Sequence, residues 1–373
     1  MISACSNLPN AGPTRDAVIE QANKDGQARF QVVEINNKVV ETLLGRPTEG
    51  FHSRFGHYGR PPPPTIHIGD TVVVSIWEAG GSNLFAESLP DHGVSGGSRG
   101  VTLPEQIVAS DGAISVPFVG RVRIEGHMVV QVQREIQRNL EGKAMQPQII
   151  VSVPKSVFNT VTVSGEVVNG ARVSLSPKGD RLMDMIAAAG GARSAVYETF
   201  VKLSRGGVTM TIPMQTLVDD PTENIYAWPG DVLTLERVPQ SFEAFGATGK
   251  NTQITFDSQS LTLIQALAKS SGLLDERADP AGVFLFRMEP APVVRALTPS
   301  SAPEGANMQV PIVYHLDLSD ANSYFLAERF PVEDNDVLYV ANARTNALQK
   351  FFQLLGTLTT PVITGIVVKN SAP

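Results

Sequence analysis

The feature that most constrains this chain is an internal correspondence at a spacing of 81 residues. Gly165 aligns with Gly246, Val173 with Ile254, Leu182 with Leu263, Ile186 with Leu267 and Gly191 with Gly272. Identities are few, so the signal lies in a shared pattern. Each copy reads strand, turn, strand, then a short helix with apolar residues at i, i+3, i+4 and i+7, ended by glycine. That face is Leu182, Met185, Ile186 and Ala189 in the first copy, and Leu263, Ala266, Leu267 and Ser270 in the second. Each copy continues into a strand, Phe200 to Leu203 or Val283 to Phe286, and closes on Asp-Val-Leu at 231–233 or 336–338. The spacing there is 105, and an insertion of about two dozen residues at 289–309, with the Pro, Ala and Ser of a loop, explains the growth. Two similar α+β domains in series are expected, at 157–240 and 241–343.

A different pattern precedes them. Val72, Val74 and Ile76 alternate with Val73, Ser75 and Trp77, a strand apolar on both faces and therefore expected to be buried between other elements. After a Gly- and Ser-rich loop (Gly93 to Gly100), turns at Asp111-Gly112 and Val119-Gly120 separate strands carrying Ile114 and Val116, then Val122 and Ile124. Val129, Val132, Ile136 and Leu140 fall at helical spacing before a strand from Ile149 to Val153. Residues 65–156 thus read β-β-β-α-β. Pro61 to Pro64 cannot join a helix or a sheet interior and make residues 1–64 end in a stiff spacer.

The two ends point to a membrane. Ile2, Ser3, Ala4 and Cys5 have the aliphatic-small-small-cysteine order of a lipobox, in which the thiol receives lipid, and Cys5 is the only cysteine. No charged or apolar leader precedes it, so the signal is read as truncated. Near the other end, Asn346, Gln349, Lys350, Gln353, Thr357, Thr360 and Thr364 fall on one side of a helix drawn over 345–368. Leu348, Phe351, Phe352, Leu355, Leu358, Val362 and Ile366 cover most of the rest. A narrow polar stripe on a wide apolar surface inverts the pattern of a helix on a soluble core. At about 1.5 Å per residue such a helix reaches about 36 Å, against a hydrocarbon core of roughly 30 Å. Two alternatives stay open on these residues. Several copies associate with stripes inward and make a pore, or the segment docks on the protein's own core, as Gly356, Pro361, Gly365 and the β-branched run after Val362 allow. The lipobox favours the pore, with the polar residues lining it and the apolar ones facing lipid.

Catalytic and metal chemistry find no support. His52 and His57 sit beside glycines without a carboxylate or cysteine partner, and the other histidines are scattered, read as surface or strand residues. Gly246 to Thr252 lacks the leading glycine and the magnesium-binding Ser or Thr of a phosphate loop. Asp219-Asp220 and Glu333-Asp334-Asp336 are read as turn formers rather than acid/base pairs. With 30 basic against 37 acidic residues and no long charge run, nucleic acid is not an expected partner. No enzyme, cofactor or metal is expected.

Specific motifs carry a likeness. Ile66-His67-Ile68-Gly69-Asp70-Thr71-Val72, Ile76-Trp77-Glu78 and the run from Asp111 to Gly120 resemble the signature of the outer-membrane polysaccharide export (Wza-like) family. Leu103-Pro104-Glu105-Gln106, Gln146-Pro147-Gln148 and Arg329-Phe330-Pro331-Val332 before Asp336-Val337-Leu338-Tyr339-Val340 are similar to the capsule exporters that work with ABC transporters. The resemblance implies an export domain at 65–156, two tandem β-grasp (SLBB) domains and a C-terminal amphipathic transmembrane helix at 344–373. It also implies a lipid-anchored homo-oligomeric ring, octameric in relatives, that passes a polysaccharide across the outer membrane. Its implied partners are an inner-membrane polysaccharide copolymerase and an ABC transporter. The rival is a periplasmic glycan-binding lipoprotein that forms no pore.

Overall fold

A computed structural model describes residues 12–23, 30–46, 49–78, 99–298 and 308–343. The chain falls into two compact units, one drawn from residues 1–48 and 239–373, the other from 49–238. The N-terminal segment contributes α1 (Arg15–Asn23), β1 (Gln31–Glu34) and α2 (Asn37–Leu44) to the first unit and α3 (Phe51–Phe55) to the second. Asn36 caps α2, its side-chain oxygen accepting from the Val39 N–H, so a helix start is fixed locally.

Residues 71–155 build β2 (Thr71–Glu78), β3 (Arg99–Thr102), β4 (Gln106–Ile107), β5 (Ala113–Val116), β6 (Gly120–Arg123), α4 (Val129–Leu140) and β7 (Gln148–Lys155). Central β2 pairs antiparallel with β3, β4 and β7, while β5 and β6 form a separate hairpin. Val132, Ile136 and Leu140 of α4 pack with Val72, Val74, Ile76, Ile149 and Val151 in one core. The expectation that β2 is buried on both faces fails. Its Val72, Val74, Ile76 and Glu78 side is closed, while Trp77 is 41% exposed and Val73 half-buried, because among the described residues helix cover exists on one side.

The duplication is a repeat of topology. The first copy runs β8 (Thr160–Gly165), β9 (Ala171–Ser174), α5 (Leu182–Ala188), β10 (Thr199–Arg205), β11 (Val208–Pro213), α6 (Met214–Asp219) and β12 (Val232–Arg237). The second runs β13 (Ser241–Gly246), β14 (Thr252–Thr255), β15 (Leu261–Thr262), α7 (Leu263–Lys269), β16 (Ala278–Pro290), α8 (Ala291–Leu297), β17 (Gln309–Leu316), α9 (Asn322–Arg329), β18 (Pro331–Val332) and β19 (Val337–Asn342). Sheet order is β11-β10-β12-β8-β9 in the first and β17-β16-β19-β13-β14 in the second, which β1 extends by pairing parallel with β17. Leu182 and Leu263, and Ile186 and Leu267, are buried on the matching helices α5 and α7.

Gly165 and Gly246 show why the correspondence is preserved. Both have positive φ, +86° and +90°, and a Cβ would lie 2.0 Å from the Leu235 carbonyl oxygen or 2.1 Å from that of Val340. Only glycine fits where the next residue's N–H must reach that same carbonyl, as Glu166 and Ala247 do.

The copies differ at one hairpin. In the first, β10 and β11 join through Gly206-Gly207; in the second, β16 and β17 are longer and carry α8 beyond them. Part of the expected loop insertion is therefore helical, with Ala291 and Val294 buried in the domain core. The sheets also differ on their second face. That of the second copy packs Phe284, Val313, Tyr339 and Ala341 against Val18 of α1. The first copy shows polar pairs there, Lys202 with Glu236 and Ser164 with Thr234.

Candidate functional site

Cys5 and every residue assigned to the pore, Asn346, Lys350, Gln353, Thr357, Thr360 and Thr364 with Leu348, Phe351, Phe352, Leu355, Leu358, Val362 and Ile366 on the lipid side, lie outside the described residues. Among the described residues no helix is long and apolar enough to cross a membrane. The described part presents the signature motifs and two copies of one buried ion pair.

Asp70 of the Ile-Gly-Asp motif is fully buried and acts as a clasp. One oxygen accepts from the His67 N–H at 2.9 Å, the other from the Val157 N–H at 2.6 Å and the Ser156 hydroxyl at 3.0 Å. Asn159 donates to the Thr65 carbonyl at 2.8 Å, and the His67 ring stacks on Phe158 with centroids 3.9 Å apart. The start of β2 is thereby tied to the connection from β7 to β8, which fixes how the export-type sheet hands the chain to the first repeat. Trp77 lies over Gly100, where a Cβ would come within 2.5 Å of the indole.

The Asp-Val-Leu repeats carry more than turns. In the first copy Arg205 on β10 donates through Nε and Nη2 to Asp231 at 2.9 and 2.7 Å. In the second Arg287 on β16 does the same to Asp336 at 2.7 and 2.5 Å. Each arginine also donates to one carbonyl, Tyr226 or Pro331, and each aspartate accepts one N–H three residues earlier, from Trp228 or Glu333. All four charged side chains are buried, so Asp336 does more than form the expected turn with Glu333: its pair with Arg287 also closes the sheet end.

Only the second copy enlarges this pair into a cluster. Glu289, fully buried, accepts from Arg46 at 2.6 Å and from the Tyr314 hydroxyl at 2.7 Å, and Arg46 reaches Glu333 at 2.5 Å. Burial pushes Asp336 up to about 6 against the pull of Arg287. Burial works against the Arg287 charge, yet the hydrogen bond and charge of Asp336, with Glu333 and Glu289, hold its pKa above the usual value. Burial and then Glu289 push the Tyr314 phenol up. Among the described residues Glu289 Oε2 has no hydrogen-bond partner. His315, expected at a surface or in a strand, is a buried β17 residue between Glu34 and the Ala281 carbonyl. Sequence reasoning missed both arginines, whose only signal was their equal place two residues after Leu203 and Leu285. Among the described residues no three of His, Cys, Asp and Glu gather into a group that could hold a metal.

The fold and its signature residues define a class, an export-type domain followed by two domains of one repeated fold. Residues 59–154 match the family described as polysaccharide biosynthesis/export protein, and residues 160–213 and 240–340 match SLBB domains. The chain is 36% identical to the capsule polysaccharide export protein BexD of Haemophilus influenzae, over 97% of this chain and 93% of that one. It is 35% identical to the capsule polysaccharide export outer membrane protein CtrA of Neisseria meningitidis, over 97% and 94%. Identity to the Vi polysaccharide export protein VexA/TviF of Salmonella typhi is 26%, over 74% of this chain and 73% of that one. The chain belongs to the outer-membrane polysaccharide export family, among its capsule polysaccharide export proteins.

Proposed function

We propose that this protein is a lipid-anchored outer-membrane conduit that passes capsular or exopolysaccharide from periplasm to cell surface. Most of the chain stands in the periplasm as a homo-oligomeric ring, octameric by resemblance. The translocation step is passive and non-enzymatic, and energy comes from an inner-membrane copolymerase and ABC transporter. One observation carries this reading: likeness to capsule exporters runs over 97% of the chain, so the full set of domains is shared rather than one module. Lipid on Cys5 would supply the first anchor. The stripe of Asn346, Lys350, Gln353, Thr357, Thr360 and Thr364 would face a hydrated lumen, because an unpaired polar group is costly in hydrocarbon. The conduit needs a closed ring of copies, whereas a glycan receptor does not. Deleting the gene in an encapsulated strain and restoring it in trans tests the reading. Surface polysaccharide should vanish, accumulate inside the cell and return on complementation. Normal surface polysaccharide in the deletion strain would overturn it.

A further inference from the structure

The first repeat carries an aromatic and cationic cluster that reaches solvent, whereas the contacts of Arg287 with Tyr314 and Phe330 in its duplicate are buried. Tyr58 meets Trp228 edge to face at 5.5 Å, and the indole N–H is held by the Gly59 carbonyl at 2.9 Å. The Arg181 guanidinium lies 4.7 Å from the centroid of the Tyr226 ring. Gly179 joins the two sides, since a Cβ there would be 3.1 Å from Arg60 and 3.5 Å from Tyr226. Tyr58, Tyr226 and Trp228 are half-buried, so their positions are set by packing while part of each ring is left to solvent. Arg60 and Arg181 donate to the carbonyls of Pro177 and Asn224. Among the described residues neither guanidinium pairs with a carboxylate, and each keeps most of its five N–H donors.

The duplicate shows that the fold does not require this chemistry. The bridge between Arg181 and Tyr226 corresponds to the pairing of Thr262 with Pro331. The N–H that Asp231 accepts comes from Trp228, and the equivalent N–H on Asp336 comes from Glu333. At three matched positions, then, Arg, Tyr and Trp stand where the other copy has Thr, Pro and Glu, with the ion pair beneath unchanged. Aromatic faces receive the C–H faces of sugars, and an unpaired guanidinium offers a fork to a carboxylate or phosphate. Such a site also overcomes the repulsion that a chain of net charge -7 exerts on a polyanion.

We propose that Tyr58, Arg60, Arg181, Tyr226 and Trp228 form a binding site for an anionic saccharide segment on the first repeat. The site rests on the conduit reading and adds a charge preference to it. The test uses the full-length protein in detergent with Trp77→Phe, which leaves Trp228 as the sole indole of a two-tryptophan chain. The probes are oligogalacturonate, its methyl ester and oligoglutamate. Oligogalacturonate should shift Trp228 fluorescence saturably and bind more weakly as salt rises. The neutral ester and the acidic peptide should bind at least about tenfold more weakly. Arg60→Gln with Arg181→Thr should lower the affinity at least about tenfold while thermal unfolding stays put, because the duplicate already folds with threonine at the second position. No saturable shift, equal binding of the ester, equal binding of the peptide or indifference to both substitutions would each overturn the site. Failure here with export still dependent on the gene removes only the site, while export without the gene removes the conduit itself.

Discussion

At the residue scale, the two Arg–Asp pairs are the point on which each repeat depends. Removing one partner leaves the other charge buried and unpaired, so Asp231→Ala or Asp336→Ala should destabilise its own domain by about 3–5 kcal/mol. Replacing both partners of one pair with apolar residues of similar volume should recover much of that loss. Urea unfolding followed by domain-resolved hydrogen exchange measures both, and a loss under about 1 kcal/mol on removing Asp336 would refute the role. The aspartates were legible as repeated Asp-Val-Leu, but their partners were not. Arg205 and Arg287 sit 26 and 49 residues away and meet them only once the strands pair. The same distance hid Arg46, which reaches Glu289 across 243 residues of sequence.

At the element scale, α5 and α7 are matched lids. Leu182→Asp or Leu263→Asp should each cost several kcal/mol by placing an unpaired charge in an apolar core, and the effect should stay within the repeat that carries it. Chemical denaturation read by probes in each repeat checks this, and a mutant as stable as the parent would contradict it. These helices were legible because a 3.6-residue period shows within seven residues, and the long strands because they alternate. β1, β3 and β4 were not, since Gln-Val-Val-Glu, Arg-Gly-Val-Thr and Gln-Ile lack the apolar alternation and flanking turn signals that mark the equally short β5 and β6. The parallel seat of β1 beside Ile312–His315 is set by the sheet edge that β17 offers. The open face of β2 was misjudged for a related reason, since Val73 and Trp77 are apolar without any element among the described residues to bury them fully.

At the scale of the whole molecule, anchoring and conduction are proposed for the two ends. Cys5→Ser, behind a functional signal, should abolish outer-membrane fractionation, because on the proposed reading acyl chains on Cys5 would supply the anchor before assembly. Normal fractionation together with an unlipidated wild-type Cys5 by mass spectrometry would contradict this. The central claim, that copies of the C-terminal segment line a water-filled passage, is tested most directly by single-cysteine scanning in intact cells on a background anchored without Cys5. A small membrane-impermeant thiol reagent should label Gln353→Cys, Thr357→Cys and Thr360→Cys and spare Phe352→Cys, Leu355→Cys and Leu358→Cys, with bulky adducts at 357 blocking surface polysaccharide. Uniform protection along the segment, with export unchanged after its deletion, would contradict the conduit.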